Sequence, residues 1–225
     1  MYRGTFNNQT FYCRTLHQAN NVNSGINEPF NGDLLVTNEL LKLFPNKNKC
    51  YIDIGSNIGT YAISHAKYFD KVLAYEPEIE NYRLLKKNVT DNNIQNIIVN
   101  NWAILDREGM FSIKNHNHSP GVHPGTYYID FNSEGDIPCK KLDNELKKND
   151  VESVDFIKID TEGSEYFILQ SIKDILIEHN PILCIEINYC SNKNYGINEN
   201  QIKSFLNNLN YKLYKVNGCN YYYIS

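Results

Sequence analysis

The sequence predicts an α/β protein, a doubly wound sheet of seven strands with the last one antiparallel, and three observations predict it. The apolar run Tyr51–Ile54 carries an acid, Asp53, near its end and passes at once into a small-residue turn, Gly55-Ser56-Asn57-Ile58-Gly59, and a helical stretch to Phe69. From there short apolar runs alternate with stretches at helical spacing, the rhythm of parallel strands joined by crossover helices. The chain then ends strand–turn–strand around Asn217-Gly218, so its last strand must reverse against its neighbour.

Each element follows from a local pattern. Residues 1–32 are polar and Asn-rich, with Phe6, Phe11 and Tyr12 as anchors and Gly4, Gly25, Pro29 and Gly32 as punctuation, which predicts an irregular lead-in with one short strand at 10–14. From Asp33, placed as an N-cap, Leu34, Leu35, Leu40, Leu41, Leu43 and Phe44 fall at helical spacing until Pro45. Strand Cys50–Ile54 and the helix after the turn come next. A buried strand Lys71–Tyr75 stops at Glu76, a helix covers Glu78–Asn92, and a strand covers Ile97–Asn100. Residues 109–141 break the rhythm with strand-like pieces around the turn-rich 115–125, a hairpin or flap that can serve as an acceptor lid. A short helix Leu142–Asn149, strand Val154–Asp160, long helix Ser164–His179, strand Ile182–Asn188 and helix Asn198–Leu209 restore it. Strands Tyr211–Val216 and Tyr221–Ile224 close the chain, and residues 33–225 read as a single domain.

Composition excludes several classes. A net charge of −4, with lysines scattered among acids, offers no basic stripe to nucleic acid. No apolar stretch approaches the ~18–20 residues of a membrane helix, and Met1–Thr15 lacks a signal-peptide core. The six cysteines form no C-x-x-C and read as reduced thiols. A cytoplasmic protein without a membrane partner is expected, a homodimer being an open possibility.

The glycine turn is a ligand site in waiting. Gly55 permits a tight turn and close ligand approach, and Gly59 lets the helix pack on the strand. A dinucleotide fingerprint would need glycines at 57 and 60, where Asn57 and Thr60 stand, and no G-K-[ST] follows for a P-loop, which disfavours an NAD-linked oxidoreductase. Glu76, at the end of the second strand, offers two acceptor oxygens to the hydroxyls of a ribose. Trp102 is placed to stack on an adenine and Ala103 to bond its edge. Further on, Lys158 and Asp160 share one strand face, and Asp160, Thr161 and Glu162 end the strand next to the first one. Asp160 and Glu162 are the first candidates for a general base, with Glu186 and the loop histidines His116, His118 and His123 behind them. The histidines are too loosely framed by Pro120, Gly121, Pro124 and Gly125 to suggest a metal, and no metal site is expected.

In order, Ile-Asp-Ile-Gly-Ser-Asn-Ile-Gly (52–59), Ala-Tyr-Glu-Pro (74–77), Trp-Ala-Ile-Leu-Asp (102–106), Lys-Lys-Leu-Asp (140–143), Ile-Lys-Ile-Asp-Thr-Glu-Gly-Ser-Glu (157–165) and Pro-Ile-Leu-Cys-Ile-Glu-Ile (181–187) resemble the block pattern of the FkbM-family methyltransferases. The resemblance implies a Rossmann-like methyltransferase sheet and S-adenosylmethionine as cofactor, held by Asp53, Gly55, Ser56, Asn57, Gly59, Glu76, Pro77, Trp102, Ala103 and Asp160. It also implies O-methylation of a sugar or glycan hydroxyl, such as that of a nucleotide-activated or terminal deoxysugar, or of a polyketide-type hydroxyl.

Overall fold

The chain begins with a hairpin where an irregular lead-in is expected. In the computed structural model, which describes residues 1–24, 29–115, 127–188 and 195–225, strands β1 (Tyr2–Phe6) and β2 (Gln9–Cys13) pair antiparallel. The two-residue turn between them, Asn7-Asn8, has φ of 48° and 63°, conformations that asparagine tolerates better than most residues. Helix α1 (Leu16–Asn23) follows, capped by the Thr15 hydroxyl on the Gln18 N–H, and buries Ala19 and Val22. Helix α2 (Pro29–Leu43) starts at a proline, which suits a first turn, and not at Asp33. Asp33 lies inside that helix, fully buried.

The central sheet obeys the predicted topology. Strand β3 (Cys50–Ile54), with every residue buried, is flanked by β4 (Lys71–Tyr75) and then β5 (Ile97–Asn100) on one side. On the other side come β10 (Phe156–Ile159), β11 (Ile182–Glu186), β13 (Asn220–Ile224) and, at the edge, β12 (Lys212–Asn217). The β3, β4, β5, β10 and β11 pairings are parallel, and β13 inserts antiparallel between β11 and β12. Because β12 runs against β13, six strands share one direction and the last alone is reversed.

Helices cover both faces. On one side α2, α3 (Thr60–His65) and α4 (Ile79–Asp91) join the N-terminal unit over a core that includes Phe11, Leu40, Tyr51 and Leu85. On the other, α5 (Leu142–Lys148), α6 (Glu165–Ser171), α7 (Lys173–His179) and α8 (Glu199–Asn208) pack over Ile157, Leu169, Leu183 and Leu206. The single helix expected over 164–179 is therefore two. Ile172, with φ −100° and ψ 17°, separates them, beside Ser171, whose hydroxyl bonds back to the Ile168 carbonyl at 2.7 Å.

The insertion is a small sheet of its own and not a lone hairpin. Strands β6 (Ala103–Ile104), β7 (Gly109–Asn115), β8 (Tyr127–Asp130) and β9 (Ile137–Lys140) are ordered β6-β9-β7-β8. Among the described residues Cys13, Cys50, Cys139 and Cys184 are buried free thiols and Cys219 is exposed. Among them, too, no helix is long and apolar enough to cross a membrane.

Candidate active site

The carboxyl ends of β3, β4, β10 and β11 open into two adjoining cavities of about 420 and 400 Å³. Open α/β sheets bind ligands at this edge, because the strand ends leave a crevice on either side of the first strand. Gly55, Asn57, Asp160 and Glu186 line both cavities.

The glycine turn is built by steric necessity. Gly55 has φ +84°, and a Cβ there would lie 1.8 Å from the Asp160 carbonyl oxygen, so the side chain is excluded by the end of β10 and not only by a ligand. Gly59, at φ +91°, would drive a Cβ to within 2.4 Å of Leu85 Cδ1, so it lets α4 close on the start of α3. The Ser56 hydroxyl donates to the Asp53 carbonyl at 2.8 Å and accepts the Tyr75 N–H at 3.1 Å, which pins the turn to both strands.

Two carboxylates frame that turn. Glu76 is buried; its Oε2 accepts the Asn57 N–H at 2.8 Å and its Oε1 the Glu78 N–H at 2.9 Å. Each oxygen keeps a further lone pair for a ligand hydroxyl. Burial pushes this carboxyl up to about 7, with the backbone donors pulling against it. Asp53 is 0 % exposed, neither of its oxygens has a hydrogen-bond partner among the described residues, and it lines the second cavity. Burial pushes it up to about 6, with Lys158 opposing.

Beyond the turn, acids gather around one buried cation. Lys158, 2 % exposed, pairs across the sheet with Asp53, donates to Asp160 Oδ2 at 2.6 Å and lies 4.2 Å from the centre of the Tyr61 ring. Burial by itself would lower its pKa, but Asp160 and Asp53 outweigh that and hold it raised. Oxygens of Asp160, Glu162 and Glu186 lie within 4.8 Å of one another, the one candidate metal-ligand cluster among the described residues. Three hard oxygen donors suit either a divalent cation or another positive centre. Glu186 Oε2 is buried without a partner among the described residues, and burial together with Asp160, Glu162 and Glu165 raises its pKa well above the ordinary value. Glu162 adopts φ 57°, a left-handed conformation uncommon for glutamate and of the kind found at functional turns. Glu165 stands apart. Its Oε1 accepts the Thr161 N–H at 2.7 Å, the Thr161 hydroxyl at 3.0 Å and the Gly163 N–H at 3.2 Å, so it ties the turn ahead of α6 and leaves Asp160 and Glu162 for the cavity.

Some expected residues fall elsewhere. Trp102 is not among the residues lining either cavity; its ring carries Lys140 Nζ at 3.5 Å and Lys148 Nζ at 4.9 Å. Ala103, Ile104 and Leu105 form the apolar wall beside Glu76 and Pro77 instead. His116, His118 and His123 lie outside the described residues. The flanks of that loop do reach the site, since Ile113, Tyr127 and Ile129 line the first cavity. Sequence reasoning missed these three, and also Gln18, Asn21, Tyr61 and Asn220, which line the second cavity. Only the alternation of β7 and β8 could have pointed to the first group.

A seven-stranded sheet with its last strand reversed, a glycine turn after the first strand and an acid at the end of the second define a Rossmann-like methyltransferase. The family model described as the methyltransferase FkbM domain matches residues 53–213, and the chain belongs to that family. Among solved structures, the FkbM methyltransferase of Methylobacillus flagellatus has the same fold at 19 % identity and a TM-score of 0.52. That likeness covers 80 % of this chain and 44 % of the other, so the chain spans less than half of that relative's length. A putative methyltransferase of Streptococcus mutans in complex with SAH aligns at 14 % identity and TM-score 0.47, over 78 % of this chain and 86 % of its own. A SAM-dependent methyltransferase of Aquifex aeolicus aligns at 14 % identity and TM-score 0.41, over 82 % and 88 %. No curated protein matches the chain.

The cofactor is S-adenosylmethionine, and the residues present fit it. Glu76 has spare acceptors for ribose hydroxyls, the Ala103–Leu105 wall is apolar as an adenine requires, and the orphaned Asp53 carboxylate suits an ammonium.

Proposed function

We propose that this methyltransferase methylates oxygen, on a hydroxyl of a sugar or glycan such as a nucleotide-activated or terminal deoxysugar, in the cytoplasm. The observation that carries the reading is the acid cluster Asp160, Glu162 and Glu186 at the junction of the two cavities. A sugar hydroxyl is a weak acid and needs a base beside it, and Glu186 is an acid of the cluster whose pKa is raised, chiefly by burial. Asp160 is the poorer base, because Lys158 already occupies it at 2.6 Å. When bound, S-adenosylmethionine supplies an electrophilic methyl group on a positively charged sulfur. Glu186 accepts the hydroxyl proton at a carboxylate oxygen, and Asp160 and Glu162 attract positive charge to the same edge. Lys158 holds Asp160 in place through their 2.6 Å bond. Beside the cofactor, the second cavity supports a polyol acceptor, since Thr60, Tyr61 and Asn220 line it with hydroxyls and an amide.

Methyl transfer from labelled S-adenosylmethionine to a panel of nucleotide sugars, deoxysugar-terminated glycans and polyketide-type alcohols tests the reading. Product from the sugar arm, with the label retained as a base-stable ether, is the expected result. Product from the polyketide arm alone would move the acceptor class and leave the chemistry. Product on nitrogen or carbon nucleophiles only would overturn O-methylation.

A further inference from the structure

We infer that the N-terminal hairpin and α1 complete the cofactor site, and that Gln18 and Asn21 hold the amino-acid end of S-adenosylmethionine. The inference rests on placing the cofactor across the two cavities, with its ribose on Glu76. The family match begins at residue 53 and takes in none of this segment.

Three observations carry it. Asn21 lines both cavities and so stands at their junction, whereas Gln18 lines the second, which also holds Asp53. Gln18 is fixed at both ends of its carboxamide: Oε1 accepts the Arg14 N–H at 2.9 Å and Nε2 donates to Asn57 Oδ1, in the glycine turn, at 3.3 Å. The segment that presents these amides is registered on the fold by side chains of α4. Asn92 Oδ1 takes the Thr10 N–H at 2.8 Å and its Nδ2 returns a bond to the Thr10 carbonyl at 2.7 Å. Asn88 treats Tyr12 the same way, at 2.7 and 3.2 Å, and also reaches the Ile58 carbonyl of the glycine turn at 2.9 Å. These paired bonds dock β2 on α4 and its C-terminal end.

The chemistry matches. The amino-acid end of the cofactor is a zwitterion, an ammonium next to a carboxylate. Among the described residues, Asp53 is buried and unpartnered and complements the ammonium, and no cation other than Lys158 lines either cavity for the carboxylate. Lys158 is taken by Asp160. Gln18 Nε2, bonded to Asn57, and Asn21 Nδ2, bonded to His17, each keep a second N–H, and these bind a carboxylate without adding charge beside the sulfonium.

Calorimetric titration of the full chain with S-adenosylhomocysteine and with 5′-methylthioadenosine, which lacks the amino-acid end, tests this. Gln18→Ala and Asn21→Ala should each weaken S-adenosylhomocysteine by about tenfold, the loss of one or two hydrogen bonds to a charged group, and leave 5′-methylthioadenosine unchanged. Gln18→Glu and Asn21→Asp, near-isosteric and repulsive to a carboxylate, should weaken it further and serve if an alanine variant does not fold. Equal losses for both ligands, or none for either, overturn the inference. Glu76→Ala is the reference: if it weakens both ligands while the amide variants weaken neither, only the inference falls. If Glu76→Ala changes nothing, the cofactor does not lie here, and the inference falls with that placement.

Discussion

Glu76 shows how one buried carboxyl couples binding to pH. Its pKa is raised on folding, so between the ordinary glutamate value and about 7 the native state binds more protons than the unfolded chain, and the stability Glu76 contributes declines as pH rises through that window. With the ribose placed on Glu76 as proposed above, its hydroxyls donate to the ionised form, which ties cofactor binding to proton release. The affinity for S-adenosylhomocysteine should therefore tighten from about pH 6 to about pH 8 by up to about tenfold. Glu76→Gln should flatten that dependence in a calorimetric pH series; an unchanged pH slope would take Glu76 off the ribose. Glu186 makes a different prediction at the same scale. Glu186→Gln should keep S-adenosylhomocysteine affinity and lower kcat by roughly 10²–10⁴, the contribution of a positioned acid–base group. Undiminished kcat in that variant would pass the role to Glu162. Asp160→Asn should act otherwise, weakening cofactor binding as well, because it takes the negative charge from the 2.6 Å partner of the buried Lys158.

Among the elements, the turn between β3 and α3 is the one whose backbone tolerates least. Gly55→Ala must relieve both an unfavourable φ of +84° and a 1.8 Å overlap with the Asp160 carbonyl, which pulls β10 away from β3. A loss of about 2–5 kcal/mol in urea unfolding is expected. Gly196, at φ +68° with nothing among the described residues within 4 Å of its would-be Cβ, is the matched control, and Gly196→Ala should cost only about 1 kcal/mol. Equal costs would show that φ alone matters at position 55. The β3 turn, the strand–helix alternation and the reversed last strand were legible because glycine spacing and buried apolar runs state them directly. The N-terminal hairpin was not, because Asn7-Asn8 was lost in an Asn-rich background although both residues take positive φ. Nor was the break at Ile172, which no glycine or proline announces. The acids that line the cavities stand at strand ends that the sequence marks, whereas nothing in the sequence announces that Lys140 and Lys148 cover the ring of Trp102.

Across the whole molecule, Asp33 links the back of the fold to the site. It sits on α2, 0 % exposed, and accepts from Tyr61 Oη at 2.5 Å, Asn217 Nδ2 at 2.8 Å, Asn220 Nδ2 at 2.8 Å and Tyr222 Oη at 2.7 Å. Those four donors come from α3 and from the two terminal strands, so one carboxylate fastens the reversed strand to the helix that follows the glycine turn. Burial raises its pKa even so, the donors pulling against desolvation without overcoming it. Tyr61 and Asn220 also line the second cavity, and the Tyr61 ring lies under Lys158. Asp33→Ala strands several buried donors at once and should cost about 3–5 kcal/mol in urea unfolding, beyond the usual range for a surface-type substitution. Asp33→Asn keeps one acceptor oxygen and the side chain's shape, and should cost about 1–2 kcal/mol. In the asparagine variant the KM for the methyl acceptor should rise more than kcat falls, because Tyr61 and Asn220 shift while Glu186 does not touch Asp33. A stability loss with no change in KM would confine Asp33 to holding the terminal hairpin in place.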